Sequence, residues 1–131
     1  MPAATAVQGL IDAVEAGRFV EAIETYYAPG ASMQENADAP RQGLAALVEN
    51  EQRMLTVFKS IKGRSLGPAL IEGDRVAINW AFDFVRADGS TAHMEEIAWQ
   101  RWQGGKVVEE RFFYDPRQLL PAVAAPATAS V

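Results

Sequence analysis

The sequence predicts an α+β fold, in which helices from the amino-terminal half pack on one face of a strongly curved antiparallel sheet from the carboxyl-terminal half. Apolar residues recur at helical spacing before residue 60 and alternate with polar residues between 75 and 115. The last two alternating runs are joined by Gly104-Gly105, a pair that favours a hairpin because both residues can adopt positive φ.

Three helices are predicted, over residues 5–16, 18–27 and 43–59, with a short strand over 31–35 between the second and the third. Pro29-Gly30 ends the second helix because proline cannot continue it. The long third helix places Glu51 in an otherwise apolar stripe. The apolar stripe of the first helix consists of Val7, Leu10, Ile11 and Val14.

Four strands are predicted after the helices, over residues 61–71, 75–86, 92–103 and 106–115. Pro68 interrupts the first of them, which predicts an edge or bulged strand. Residues 1–120 are interpreted as a single domain. The segment 121–131 is rich in proline and alanine and has too few large side chains to offset its ordering entropy, so we expect it to be loosely held.

The composition excludes several classes of function. A net charge of −5 without a basic cluster argues against nucleic acid as a partner. The sequence contains no cysteine and only His93 as histidine, which excludes thiolate and multi-histidine metal sites and a cysteine nucleophile. No apolar run is long enough for a membrane span, so a cytoplasmic protein without a metal or other cofactor is expected.

The order of these elements, closed by "GGKVVEERFFYD", resembles the nuclear transport factor 2-like superfamily, and in particular its ketosteroid-isomerase-like and polyketide-cyclase-like (SnoaL-like) members. The resemblance covers about residues 5–120 and implies a cone-shaped fold that encloses a pocket. This superfamily uses the pocket for isomerases, dehydratases, cyclases and binding modules, so the resemblance is more specific for fold than for activity.

Within "YYAPGASMQENADAPRQG", the resemblance places Glu35 at the position of the proton-shuttling base of the ketosteroid isomerases, and it matches Tyr27 to a tyrosine that supports their oxyanion hole. The two oxyanion-hole donors are replaced by Leu10 and Ala98. Phe112 stands where the polyketide cyclases carry an acid. The resemblance therefore implies a proton-transfer site without the usual oxyanion donors.

The resemblance also assigns faces to the strands. It turns the following residues toward the cavity: Asn79, Ala81, Asp83 and Val85; Met94, Glu96, Ala98 and Gln100; Glu110, Phe112 and Tyr114. The opposite face would then carry Trp80, Phe82, Phe84, Ile97, Trp99 and Phe113, and a homodimer through the sheet would cover it. Alternation alone favours the reverse for residues 75–86, with Trp80, Phe82 and Phe84 inward, and a shift of one residue exchanges the two faces.

Five acids are predicted to share the cavity, where desolvation and mutual repulsion favour a general acid or base: Glu35, Glu51, Asp83, Glu96 and Glu110. Alternatively, Glu96 and Glu110 pair with basic residues across the hairpin. Tyr27 and Tyr114 either donate to a ligand carbonyl or satisfy a nearby carboxylate, and Asn79 and Gln100 are weaker candidates of the same type.

Two hypotheses for function follow. The first is a cofactor-free isomerase, cyclase or dehydratase that acts on a small hydrophobic carbonyl compound, with Glu35 as base and Tyr114 or Tyr27 as donor. The second is a non-catalytic dimeric module that binds a lipophilic metabolite. The cluster of acids favours the first, and the missing oxyanion donors favour the second.

Overall fold

The helices form where the apolar stripes predict them, and the sheet follows. The computed structural model describes residues 2–120, and the tail expected at 121–131 lies outside the described residues. The elements are α1 (Ala4–Glu15), α2 (Phe19–Tyr26), β1 (Tyr27–Glu35), β2 (Arg41–Gln42), α3 (Leu44–Val57), β3 (Phe58–Ser65), β4 (Leu70–Glu72), β5 (Arg75–Arg86), β6 (Thr91–Gln103), β7 (Lys106–Phe113) and a 3-10 helix (Pro116–Leu119).

Two element boundaries differ from the expectation. Helix α3 ends at Val57, and β3 begins at Phe58, where the pattern predicted helix to residue 59 and strand from 61. Phe58 pairs with Arg86 at the far end of β5. Strand pairing therefore includes a residue that the helical pattern had assigned to the third helix. Strand β1 likewise begins at Tyr27 rather than at residue 31.

The sheet has the order β2-β1-β7-β6-β5-β3, with β4 also paired to β5. All pairs are antiparallel except β1 with β7, which run parallel. A parallel pair needs a long connection between its strands, and here most of the domain supplies it. The amino-terminal helices therefore lie against the same concave face that the carboxyl-terminal hairpin forms.

The core fills the space between the helices and this inner face of the sheet. Leu10 and Leu47 come from the helices, and Ile78, Trp102 and Val107 come from the strands; all five are at most 2% exposed. Burial of these large apolar groups stabilises the fold by roughly 1.5–3 kcal/mol for each side chain of the leucine or isoleucine class.

The register of β5 corrects one set of face assignments. Trp80 lies opposite Glu96, and Phe82 lies opposite Met94. Residues directly opposite in an antiparallel pair point to the same side, so the aromatic residues of β5 face inward with Glu96. The residues between them face outward, and their assignment to the cavity was wrong by one residue in register: Asn79, Ala81, Asp83 and Val85.

None of the helices within residues 2–120 combines the length and the apolar character that a bilayer crossing would require.

Candidate functional site

A cavity of about 170 Å³ lies between the helices and the inner face of the sheet. Its walls are mainly apolar and aromatic. The polar side chains that line it come from four elements and the segment after β7: Tyr27, Glu35, Asn50, Glu51, Glu96, Gln100, Glu110 and Tyr114. Four of these are glutamates, and no lysine, arginine or histidine of residues 2–120 lines the cavity.

Glu35 is held at the end of β1 by two donors. Strand pairing places Glu35 opposite Phe112, so Tyr114 lies two residues further along the same side. The Tyr114 hydroxyl donates to Oε1 of Glu35 at 2.5 Å, and Nη1 of Arg41 donates to Oε2 at 2.9 Å. Burial and the adjacent Glu35 raise the pKa of Tyr114, so its hydroxyl keeps the proton that it shares. The two donors fix the orientation of the Glu35 carboxyl group beside the cavity.

A chain of hydrogen bonds runs beneath the cavity and ends on Glu110. Nε1 of Trp102 donates to Oε1 of Gln100 at 2.9 Å, and Nε2 of Gln100 donates to Oε2 of Glu110 at 2.7 Å. The Tyr27 hydroxyl donates to Oε1 of Glu110. Burial raises the pKa of Glu110 to about 7, although the bonds from Tyr27 and Gln100 act in the opposite direction. Every polar group of this buried chain therefore has a partner.

Glu96 lacks such support. Its residue is 7% exposed, it lines the cavity, and it has no hydrogen-bond partner among residues 2–120. Burial, followed by repulsion from Glu110, Glu35 and Glu51, raises the pKa of Glu96 to about 8. At neutral pH this carboxyl group therefore mainly holds its proton and is able to donate a hydrogen bond into the cavity.

Glu51 reaches the cavity from α3, as its position in the apolar stripe indicated. Burial and, to a smaller extent, repulsion from Glu35 raise the pKa of Glu51. Glu51 therefore lines the cavity from the helical side, whereas Glu35, Glu96 and Glu110 line it from the sheet.

The alternative pairing of Glu96 and Glu110 with basic residues of the hairpin does not form. Arg101 pairs instead with Glu109 on the outer face, with Nε 3.4 Å from Oε1. Arg111 donates to the carbonyl of Asn36, and Lys106 donates to the carbonyl of Thr25. The hairpin's cations are therefore directed away from its two buried acids.

Other candidates lie elsewhere. Asp83 is on the outer face, where its Oδ1 is 2.7 Å from Nδ1 of His93 and its Oδ2 is 3.2 Å from Nη1 of Arg64. The hydrogen bond with His93 is the main reason that the pKa of Asp83 is lowered. Asn79 is exposed, and Ala98 is fully buried in the core and does not line the cavity, so the prediction that these two residues line it was wrong. Phe112 lines the cavity as expected.

Sequence reasoning missed Arg41, which pairs with Glu35. The signal was weak, since an arginine in a polar, turn-rich segment is most often solvated. Asn50 and the inward aromatic side chains of β5 also line the cavity, and the alternation of β5 had indicated the latter. Among residues 2–120, no group of three or more His, Asp or Glu side chains is arranged to bind a metal ion.

Comparisons with known proteins agree with this architecture. The profile of the SnoaL-like domain family matches residues 7–110. No curated protein matches the chain. A candidate SnoaL-like polyketide cyclase from Mesorhizobium loti is 26% identical, with a TM-score of 0.76 over 87% of this chain and 100% of that one.

Two further solved structures share the fold at lower identity. TerC, co-crystallised with polyporic acid, is 17% identical, with a TM-score of 0.74 over 86% of this chain and 91% of its own. An NTF2-like protein of unknown function from Burkholderia pseudomallei is 12% identical, with a TM-score of 0.77 over 88% of this chain and 92% of its own. These similarities confirm the predicted NTF2-like fold.

Proposed function

Because the chain belongs to the SnoaL-like domain family, we propose that it is a small-molecule pocket protein that catalyses a cofactor-free proton transfer on a small hydrophobic carbonyl compound. The reaction class is isomerisation, cyclisation or dehydration. The observation that carries the proposal is Glu96, a buried carboxyl group that has no hydrogen-bond partner within residues 2–120 and shares a mainly apolar cavity with Glu35.

The two acids have different roles. Glu35 removes a proton from the carbon next to the carbonyl group, and the electron pair moves onto the carbonyl oxygen. The protonated Glu96 donates a hydrogen bond to that oxygen as negative charge develops there. Glu35 then returns the proton to another position of the substrate, so neither acid is consumed.

The tyrosines support the acids rather than the substrate. The hydroxyl of Tyr114 already donates to Glu35, and that of Tyr27 already donates to Glu110. Tyr114 therefore positions the base, and Tyr27 orders the chain of hydrogen bonds beneath it. We therefore assign Glu96, rather than Tyr27 or Tyr114, as the hydrogen-bond donor to the substrate oxygen.

Glu96 also compensates for the missing oxyanion donors. Ala98 occupies the position at which the ketosteroid isomerases carry a protonated acid, and Glu96 lies two residues earlier on β6. Since side chains two residues apart point to the same face, the acid is displaced by one repeat of the strand, or about 6.6 Å. A neutral carboxylic acid is thus kept on the same wall of the pocket.

Turnover of a panel of small cyclic ketones would test the proposal. Glu35→Gln is expected to reduce kcat by about 10²–10⁴-fold because it removes the base, and Glu96→Leu by about 10²–10³-fold because it removes the donor. Glu49→Gln is the matched control, since Glu49 is an exposed acid on α3. Unchanged turnover in Glu35→Gln would exclude the assigned base.

A binding module is the second candidate function. The replacement of both oxyanion donors by Leu10 and Ala98 favours it, because those side chains cannot stabilise an enolate. Calorimetry with the same ketones distinguishes the two functions. Saturable binding without any product, in wild type and in Glu35→Gln alike, would establish the module in place of the enzyme.

We also propose that a second copy of the chain covers the outer face of the sheet. The outer patch, formed by Ile97, Trp99 and Phe113, is 40–43% exposed, and two arginines contact its rings. Such a patch is able to face its own copy across a two-fold axis, and a homodimer through the sheet is common in the superfamily that the sequence resembles.

Trp99→Glu tests the dimer. It places a charge in the outer patch beside Arg75, whose guanidinium carbon lies 5.7 Å from the Trp99 ring. Sedimentation velocity should show a dimer for wild type and a monomer with an unchanged circular dichroism spectrum for the variant. A monomeric wild type would refute this arrangement.

A further inference from the structure

The charge of the cavity is not balanced. Arg41 compensates Glu35 alone. Glu51 and Glu96 have no cationic partner among residues 2–120, and Glu110 receives hydrogen bonds from neutral donors only. We refer to Glu51, Glu96 and Glu110 as the unbalanced acids. Burial raises the pKa of each of these acids, so the empty cavity favours the protonated form of each more than water does.

An aromatic row lies beside Glu96 on the same inner face of the sheet. Trp80, Phe82 and Phe84 form a row on the inner side of β5, with centroid separations of 5.7 Å and 6.2 Å between successive rings. Ring faces carry partial negative charge and attract cations, and the attraction grows when the site is desolvated. Aromatic rings and carboxylates together are the side chains that proteins use to bind organic ammonium groups.

We infer that the natural ligand of this cavity carries a positively charged nitrogen, which the unbalanced acids and the aromatic row hold together. The inference rests on the proposed binding role of the cavity, and it narrows the substrate class to a carbonyl compound that also bears an amine. Anionic ligands are rejected, because no cation of residues 2–120 lines the cavity to receive them.

Glu96 distinguishes this cavity from a solvated acidic patch, because it is 7% exposed and has no hydrogen-bond partner in the described part of the chain, residues 2–120. A bound ammonium group satisfies carboxyl oxygens in the cavity and makes ionisation of the unbalanced acids favourable. In the complex with an amine that also bears a carbonyl group, Glu51 and Glu110 ionise, and Glu96 keeps the proton that it donates to the carbonyl oxygen. Binding of the cation must therefore release protons from the cavity, whereas binding of a neutral ligand of the same shape does not. Proton release is thus a direct signature of the inferred chemistry.

The size of the cavity selects the probes. At about 170 Å³ it is comparable to an engineered cavity of about 150 Å³ that accommodates benzene, so a one-ring molecule fits. Benzylamine, benzyl alcohol and benzoate share one ring and differ in charge. Benzylamine is protonated across neutral pH, which keeps its charge constant during the experiment.

Isothermal titration calorimetry in buffers of different ionisation enthalpy, between pH 6.5 and 8, measures both affinity and proton release. Benzylamine should bind at least about tenfold more tightly than benzyl alcohol at pH 8. Its affinity should rise with pH, by up to about tenfold per pH unit, as proton release becomes easier. Benzoate should not bind.

The titratable and charged groups around the cavity, any of which is able to contribute to the pH dependence of binding, are Tyr27, Glu35, Arg41, Glu51, Glu96, Glu110 and Tyr114.

Matched variants separate local from general charge effects. Glu51→Gln and Glu96→Gln should each weaken benzylamine by about tenfold or more relative to benzyl alcohol. Glu49→Gln and Glu95→Gln remove the same charge from exposed positions on α3 and β6, and they should change neither ligand. Two glutamine variants of cavity acids are compared so that, if one of them fails to fold, the other still tests the inference.

Three results would overturn the inference: benzylamine that does not bind, benzyl alcohol that binds as tightly as benzylamine, or benzylamine that binds without proton release. None of these readouts depends on turnover. A protein that binds benzylamine with proton release but converts no ketone would retain this inference and lose the proposed catalysis. Conversely, turnover of neutral ketones without amine binding would retain the catalysis alone.

Discussion

Strand β6 carries two adjacent glutamates that lie in opposite environments. Glu95 faces outward, with its side chain 56% exposed and Oε2 3.1 Å from Nε2 of His93. Glu96 faces inward, 7% exposed and without a partner among residues 2–120. Burial raises the pKa of Glu96 to about 8, whereas the outer Asp83, bonded to His93, has a lowered pKa. The face of the sheet, rather than the residue type, determines which acid is a proton donor at neutral pH.

The largest expected effect concerns the pH dependence of stability. The folded protein binds the Glu96 proton more tightly than the unfolded chain, whose glutamate has a pKa near 4.5. The stability that this provides is complete below pH 4.5 and is lost as the pH rises to about 8. Over three pH units the linked loss is at most roughly 4 kcal/mol. Urea denaturation from pH 5 to 8 should show Glu96→Gln losing less stability than wild type, and the remaining decline comes from Glu51 and Glu110, whose pKa values are also raised.

Glu95→Gln is the control for this comparison, since it changes the neighbouring acid on the outer face. Its stability should fall with pH as steeply as that of wild type. An identical pH profile for wild type and Glu96→Gln would show that the two glutamates do not differ as the structure indicates.

A smaller loss is expected when the buried chain of hydrogen bonds is cut. Gln100→Leu removes the partner of both Trp102 and Glu110, and unsatisfied buried groups cost about 1–3 kcal/mol each. The free energy of unfolding at pH 7 should fall by about 2–4 kcal/mol. Gln103→Leu, on the same strand but exposed, should have little effect. Equal effects of the two substitutions would mean that the buried hydrogen bonds of Gln100 contribute nothing specific to stability.

The smallest effect is expected on the outer face. Contacts with Asp83 and Glu95 raise the pKa of His93, so its contribution to stability is present below pH 6.5 and is lost as the pH rises through its folded pKa. All three side chains are exposed and screened, so His93→Gln should leave most of the wild-type decline between pH 5 and 8 intact. If His93→Gln lost the decline of stability between pH 5 and 8, that decline would come from the outer face of the sheet and not from the buried acids.

Periodicity was sufficient to predict the α+β class, and the resemblance assigned the inner faces of β6 and β7. Glu96, Gln100 and Glu110 line the cavity as the resemblance implied, and the Gly-Gly turn sets the register that brings Glu110 opposite Gln100. For β5 the resemblance and the alternation disagreed, and the alternation was right. Burial of Trp80 and its aromatic neighbours outweighs a family position, since exposing such a row to water would cost more than exposing Asp83.

The polar contacts of the site could not be predicted in the same way. The bonds from Tyr114 and Arg41 to Glu35 depend on β1 lying parallel to β7, and no local pattern encodes that long-range pairing. The absence of a partner for Glu96 is a property of the whole cavity. Sequence patterns specify which face a side chain takes, and the tertiary structure determines what it meets there.

The parallel pairing of β1 with β7 also has a consequence for how the protein is made. Tyr27 and Glu110 are 83 positions apart, so their contact must wait until nearly all of the domain has left the ribosome. Until then, β1 offers an unpaired edge on which other nascent chains are able to assemble. Folding is therefore expected to be late and concerted, as is usual when distant segments must meet first, and fragments that stop before β7 should aggregate.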